Sequence, residues 1–338
     1  MELINPPPLK KEDTIAIVAP SGGLAKLYPH RLDNAIKYFK SQGYNIKEFP
    51  NTRKNNGWES ASPKERAKEL MEAFLDKEVK AIICEIGGNT SNKILKYLDF
   101  NKIKENPKIF SGYSDISVLH YAINKKSNLL TFYGPCAMVQ FGEYPKPLDF
   151  TIEYFNKAIT EKNIGKIEPS KEWTDEVLDW RKKKDLDRPR KLIKNKGYEW
   201  LKNGEAKGKV LGGCLPSITH LIGTVYWPDH KDAILFIELS EGVDIYKGKP
   251  LAEIDALLAD LDNAKIFSQI KGLIVGRPYR YSKDEEDKFK QIILDNTQDY
   301  NFPILYGVDI GHTDPQITVP LGINAELNSK RNLFKLDF

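Results

Sequence analysis

The chain has 338 residues, more than one ordinary core accommodates and enough for two domains. Hydrophobic residues make up 41% and charged residues 29%, which fits a protein with real interiors and a solvated surface. The net charge is only +4, and the densest basic run (Arg181 to Lys184 with Arg188, Arg190 and Lys191) is broken by Asp185 and Asp187. It reads as a solvated loop, and nucleic acid is not an expected partner.

Three cysteines (Cys84, Cys136 and Cys214) stand far apart with no C-x-x-C spacing. That argues against a disulfide framework or a zinc site and fits a reducing compartment. The start, Met1-Glu-Leu-Ile-Asn-Pro-Pro-Pro8, lacks a basic segment followed by an apolar one, and no apolar run approaches membrane-spanning length. The expectation is a cytoplasmic protein with no membrane partner.

In chain order, Thr14 to Ala19 is a short apolar run stopped by Pro20-Ser-Gly-Gly23. His30 to Gln42 carries Leu32, Ala35, Ile36 and Phe39 at helical spacing, with Gly43 as a stop. Tyr44 to Phe49 reads as a strand. Ser62-Pro-Lys-Glu65 predicts a helix start, with a capping serine, proline in the first turn and a returning glutamate, and that helix runs to about Phe74. Val79 to Cys84 is a third strand, Gly87-Gly88 a sharp turn and Ser91 to Leu98 a helix. Lys108 to Phe110 is a strand leading to Ser114, and a helix is predicted from Asp115 to Ile123. Such alternation implies a parallel sheet with helices on both faces and ligands at the carboxyl ends of its strands.

From Asn163 the texture turns polar, yet it carries Trp173, Trp180 and Trp200, which argues for an ordered excursion packed over a site. The last part opens near Gly208. Ala233 to Ile237 is an apolar strand ending in Glu238, Pro250 to Leu261 an amphipathic helix, and Ile270 to Val275, Pro303 to Val308 and Ile317 to Pro320 are further strands.

Ser114 stands in a strand-to-helix turn, where a hydroxyl is held clear beside the N–H groups of a helix start. Nucleophile and helix cap are both open readings, since Ile116 occupies the place of the second glycine of G-x-S-x-G. Of five histidines, His120 faces away along the same helix, His220 reads as a core residue, and His30 and His230 sit in polar turns. His312 follows a strand and Gly311 into a loop, as a general base or a turn-capping residue. Glu238 emerges from a buried strand and is the favoured acid to orient an imidazole, with Asp309 and Glu241 as rivals. Gly87-Gly88-Asn89-Thr90-Ser91 could supply oxyanion donors, cradle a phosphate or carboxylate through Gly87, Asn89 and Ser91, or be a plain turn. Arg277 could hold a substrate carboxylate or brace the domains. No metal or cofactor motif is present.

These segments resemble, in order and over nearly the whole chain, the LD-carboxypeptidase family of serine peptidases (peptidase family S66), and within it the microcin C immunity branch. The resemblance rests on Ile17-Val-Ala-Pro-Ser21, Ile86 to Asn92, Gly112-Tyr-Ser-Asp115, Phe132-Tyr-Gly-Pro135, Phe141-Gly-Glu143 and Gly212-Gly-Cys-Leu215. It continues through Gly223 to Asp229, Leu235-Phe-Ile-Glu238, Val275-Gly-Arg-Pro278 and Asp309 to Thr313. It implies an α/β fold with a flavodoxin-like parallel-sheet domain over residues 1–162. A Trp-bearing linker over residues 163–207 would cover the site, and a smaller swivelling-type α/β domain would span 208–338. It implies a Ser–His–Glu triad of Ser114, His312 and Glu238, oxyanion donors at Asp115 and Gly88, no cofactor and a homodimer. The longer excursion resembles the immunity branch, in which a loop aromatic stacks on the nucleotide of the substrate; Trp180 is the choice here. Pro216 stands where an acidic residue is expected and weakens any contact inferred there. The implied reaction is hydrolysis of a terminal amide, in an aminoacyl-sulfamoyl-adenylate (microcin C type) or in a murein tetrapeptide. A non-catalytic anion-binding protein is the reading from another class.

Overall fold

Five strands near the start form one sheet with helices on its faces; four are buried along nearly their whole length, and the second, at the edge, is polar and mostly exposed. They are β1 (Thr14–Val18), β2 (Asn45–Glu48), β3 (Val79–Cys84), β4 (Ile109–Gly112) and β5 (Thr131–Tyr133). They lie in the order β2-β1-β3-β4-β5, all parallel. This is the flavodoxin-like order, and its direction of winding reverses between β1 and β3. The computed structural model describes residues 3–338.

Around this sheet lie α1 (Pro29–Ser41), α2 (Pro63–Leu75), α3 (Phe100–Glu105), α4 (Ser117–Ser127) and α5 (Asp149–Asn156). α2 opens as its sequence predicts: Ser62 Oγ accepts from Glu65 N, and the Glu65 carboxylate accepts from Ser62 N. Its Ala67, Leu70, Ala73 and Phe74 are buried. The segment expected as a helix from Ser91 is a 3-10 stretch, Ser91–Tyr97.

The central excursion contributes β6 (Gly165–Lys166), β7 (Glu172–Trp173), β8 (Ile193–Lys194) and β9 (Glu199–Lys202). Beyond it run β10 (Glu205–Cys214), β11 (Ile234–Glu238), β12 (Gly272–Gly276) and β13 (Ile304–Val308). β14 (Val319–Leu321), β15 (Asn324–Asn328) and β16 (Leu333–Asp337) complete the chain. Between them lie α6 (Leu215–Thr219), α7 (Leu251–Asn263) and α8 (Lys283–Asn296). The second sheet has the order β6-β16-β15-β10-β11-β12-β13-β9, with β10 to β13 parallel. β10 changes partners along its length, pairing antiparallel with β15 over Glu205–Lys209 and parallel with β11 over Val210–Cys214.

Chain order and sheet membership diverge in two places. The excursion supplies the edge strands β6 and β9 of the second sheet, while β14 returns to pair antiparallel with β5 in the first. The lobes meet where β10 ends: Ser117 Oγ accepts from Cys214 N at 2.9 Å and donates to Ser114 O at 2.6 Å. A Cβ on Gly213 would lie 2.6 Å from Ser117 Oγ, so glycine permits this approach. Among the described residues no helix is long and apolar enough to cross a membrane.

Candidate active site

β4 delivers Ser114 to the carboxyl edge of the first sheet, and the chain turns sharply there. Ser114 has φ +63°, a left-handed conformation that costs a non-glycine residue about 1 kcal/mol or more and persists only where neighbours hold it. They do so at both ends: Ser114 N donates to Tyr133 Oη at 3.2 Å, and Ser114 O accepts from Ser117 Oγ. Gly87 lies against the serine, where a Cβ would stand 2.7 Å from Ser114 Cβ and 3.0 Å from its Oγ. Any side chain at 87 would displace the hydroxyl.

The second lobe brings two residues to that hydroxyl. His312, in the loop after β13, lies with Nε2 3.0 Å from Ser114 Oγ and Nδ1 2.7 Å from Glu238 Oε2. Glu238 is the last residue of β11, fully buried, and its Oε1 accepts from Tyr133 Oη at 2.5 Å. With the carboxylate accepting from Nδ1–H, Nε2 is left to accept the serine proton. Gly311 has φ +98°, and a Cβ there would lie 2.1 Å from Glu238 Oε2, so glycine lets the loop close over the acid. The Tyr113 ring packs on the imidazole, with centroids 4.9 Å apart. Burial pushes the His312 pKa down. Glu238, its hydrogen bond, Glu241 and Asp314 push it up, and the net lies above the ordinary 6.5.

Asp115 fastens the glycine turn to the serine turn. Its Oδ2 accepts from Thr90 N at 2.9 Å, from Ser91 N at 2.8 Å and from Ser21 Oγ, while its carbonyl accepts from Ser91 Oγ at 2.7 Å. The Asp115 amide nitrogen lies 3.4 Å from where a Gly87 Cβ would stand. Gly87 O accepts from Gly22 N at 2.9 Å, so the trans peptide directs the Gly88 N–H away from Gly22. Gly88 has φ +147°, and a Cβ there would strike Ser21 Oγ at 2.5 Å. Three turns, after β1, β3 and β4, are thus locked around one hydroxyl.

The LD-carboxypeptidase N-terminal domain model matches residues 15–134, and the C-terminal domain model matches residues 207–327. The chain belongs to the LD-carboxypeptidase family. These proteins are serine-type carboxypeptidases, and this chain is one of them. It is 33% identical to the microcin C7 self-immunity protein MccF of Escherichia coli over 95% of this chain and 92% of that protein. It is 30% identical to a probable murein peptide carboxypeptidase of Bacillus subtilis over 96% of this chain and 92% of that one. The structure of MccF in complex with aspartyl sulfamoyl adenosine superposes with a TM-score of 0.90 at 30% identity, covering 99% and 98% of the two chains.

In this LD-carboxypeptidase-family chain the other expected site residues take varied places. Asn89 is exposed at the tip of the glycine turn. Ser91 is buried, with its amide and hydroxyl both donated to Asp115. Arg277 is 7% exposed, donates to Asp309 at 2.6 Å and Thr313 at 3.3 Å, and lies under the Trp173 ring. These partners belong to its own lobe and to the excursion, and none to the first lobe. Asp309, a rival for the orienting acid, is taken by Arg277, Ser170 and Tyr198. Trp180 is partly buried, with one face against Arg31 and an edge contact to Tyr28.

Several readings of the sequence need correction. His220 is exposed, because the apolar stretch around it is a short helix whose opposite side is buried. His230 is fully buried, hydrogen-bonded to Pro228 O and Tyr121 Oη, and burial lowers its pKa to about 4. His30 pairs with Asp185 at 3.0 Å. The basic run is not uniformly solvated: Arg190 reaches Glu143 at 2.7 Å and Asp314 at 2.8 Å, and Asp185 is buried against Arg31 and His30. These pairs pin the excursion beside the His312 loop.

Two site neighbours escaped sequence reasoning. Tyr133 lay within a segment already singled out, Phe132-Tyr-Gly-Pro135, but nothing local said that its phenol meets Glu238. Cys214 lies with Glu238 and His312 in a group whose ligand-type atoms fall within 4.8 Å of one another. Burial, then the charge of Glu238, holds its thiol well above the usual range.

Proposed function

We propose that the chain hydrolyses a terminal amide by acyl transfer, with Ser114 as nucleophile, His312 as general base and then acid, and Glu238 as the residue that orients and stabilises the imidazolium. The observation that carries this reading is the continuous hydrogen-bonded line from Ser114 Oγ through His312 to Glu238, at 3.0 and 2.7 Å. His312 Nε2 takes the serine proton as Oγ attacks the carbonyl carbon. The Asp115 and Gly88 N–H groups receive the oxyanion, supported by their position beside the Gly87 contact with Ser114. The imidazolium returns its proton to the leaving nitrogen. Water activated by the same nitrogen then cleaves the ester.

For the substrate, we propose an amide between an aminoacyl group and a nucleotide-like acid mimic, bound from the cytoplasm by a homodimer. The likeness to MccF, whose structure holds aspartyl sulfamoyl adenosine, supports this choice, as does the ordered tryptophan-bearing excursion beside the His312 loop. Gly87, Asn89 and Trp180 are the residues proposed to line the leaving-group side. The murein peptide reading has the Bacillus relative in its favour. Side-by-side turnover of an aminoacyl sulfamoyl adenosine and an LD-tetrapeptide by the wild type and Ser114→Ala separates the possibilities. Faster cleavage of the nucleotide substrate, falling by about a thousandfold or more in the variant, is expected. Faster tetrapeptide cleavage would transfer the protein to the other substrate class, and full activity in the variant would overturn the nucleophile.

A further inference from the structure

One charged side chain outside the proposed triad reaches the reacting end of the imidazole. Glu241 stands three residues beyond Glu238, and its Oε2 is 3.5 Å from His312 Nε2, the nitrogen that also faces Ser114 Oγ. The two ring nitrogens therefore meet different carboxylates. Glu238 at Nδ1 is fully buried, whereas the Glu241 side chain is 42% exposed. Among the described residues, no lysine or arginine pairs with Glu241 within 4.0 Å.

Its backbone is nonetheless held in place. Glu241 bridges Gly248, Gly242 N donates to Lys247 O at 2.8 Å, Tyr279 Oη donates to Ile245 O at 2.7 Å and Arg280 Nε donates to Tyr246 O at 2.9 Å. Arg280 also donates to Asp175 O at 2.9 Å, joining this loop to the excursion. The loop thus carries a carboxylate beside the base with no cationic partner from lysine or arginine among the described residues.

We infer that Glu241 receives the free α-ammonium of the acyl half of the substrate. This rests on the acyl-transfer reading above and adds to it the charge of the group next to the scissile carbonyl. A carbonyl carbon in reach of Ser114 Oγ lies beside His312 Nε2, and an α-amine is two bonds from that carbon, within reach of Glu241 Oε2. An aminoacyl group carries a cation there. A residue inside a peptide carries an uncharged amide, and an acidic substituent would be repelled. The pairing also draws the Glu241 carboxylate away from Nε2, which leaves that nitrogen to Ser114. The groups facing the imidazole are Glu238 from β11, Glu241 from the following loop, Cys214 from β10, Ser114 and Tyr113 from the turn after β4, and Asp314 from its own loop.

The test uses alanyl sulfamoyl adenosine and its propionyl analogue, which lacks only the amine, with wild type, Glu241→Gln, Glu241→Asp and Ser114→Ala. Wild type is expected to favour the amine by about tenfold or more in kcat/KM, the scale of a hydrogen bond to a charged group. Glu241→Gln should bring that ratio close to one and move the acid limb of the propionyl pH profile downward, and Glu241→Asp should restore part of the preference. An unchanged ratio in Glu241→Gln, with Ser114→Ala inactive on both substrates, overturns the ammonium assignment alone. Activity persisting in Ser114→Ala overturns the underlying reading instead.

Discussion

The phenol of Tyr133 donates to Glu238 Oε1 and accepts from the Ser114 amide, so one oxygen ties the buried acid to the strained serine. Burial pushes this phenol far up, followed by the charge of Glu238, so it remains a donor at any working pH. Tyr133→Phe would leave one oxygen of a fully buried carboxylate without its partner. The expected result is a fall in kcat of about ten- to a hundredfold, the scale of an unsatisfied buried hydrogen bond, with KM little changed. The same residues set a pH dependence. The base must be neutral to accept the serine proton, and its pKa is raised above 6.5, so kcat/KM should fall on the acid side with an apparent pKa above that value. A profile flat down to pH 5 would contradict the assignment of His312.

At the scale of elements, the turn after β3 is held from behind by Glu85. This residue is fully buried, its Oε1 accepts from Ala25 N, and its Oε2 has no hydrogen-bond partner among the described residues. Burial raises its pKa from 4.5 to about 8, outweighing the backbone donors. In that window the unfolded chain gives up the proton while the native state keeps it, so stability declines as pH rises from about 4.5 to 8. Glu85→Gln should remove the decline. Denaturant melts at pH 5 and 7 are expected to differ by about 2 kcal/mol more in wild type than in the variant. Elements governed by local signals were legible from sequence: the Ser62 capping box and the limits of β3 are as expected. α8 is not legible from sequence although Ser282 and Glu285 form a capping box, because in its mostly charged sequence only Phe289 and Ile293 are buried. His220 and His230 were misread for the complementary reason. A short helix gives too little periodicity to assign a face, and the burial of His230 comes from Tyr121, over a hundred residues earlier.

At the scale of the molecule, the active-site residues are drawn from strand ends in both lobes, and the joint between lobes is made of small groups in close contact. Gly213 against Ser117 leaves no room for a side chain at the glycine, and within the second lobe Gly276 is packed as closely against Glu238. The parallel sheet of the first lobe was foreseeable from the alternation of strands and helices. The passage of β14 into the first sheet and of β9 to the edge of the second was not, since strand pairing across more than a hundred residues leaves no local mark. The same holds for Arg190 with Asp314, where a loop that reads as solvated is fastened beside the His312 loop. Ser114, Glu238 and His312 could each be singled out from local context, but their distances could not.

The proposed chemistry can be tested by treating the protein with a fluorophosphonate, which phosphonylates activated serines with loss of fluoride, and mapping the modified peptide by mass spectrometry. Loss of activity should accompany a single adduct on Ser114, and His312→Ala should label at least a hundredfold more slowly, about the contribution of a general base. An enzyme that turns over its amide substrate yet carries no adduct on Ser114, or carries it on another residue, would contradict the account.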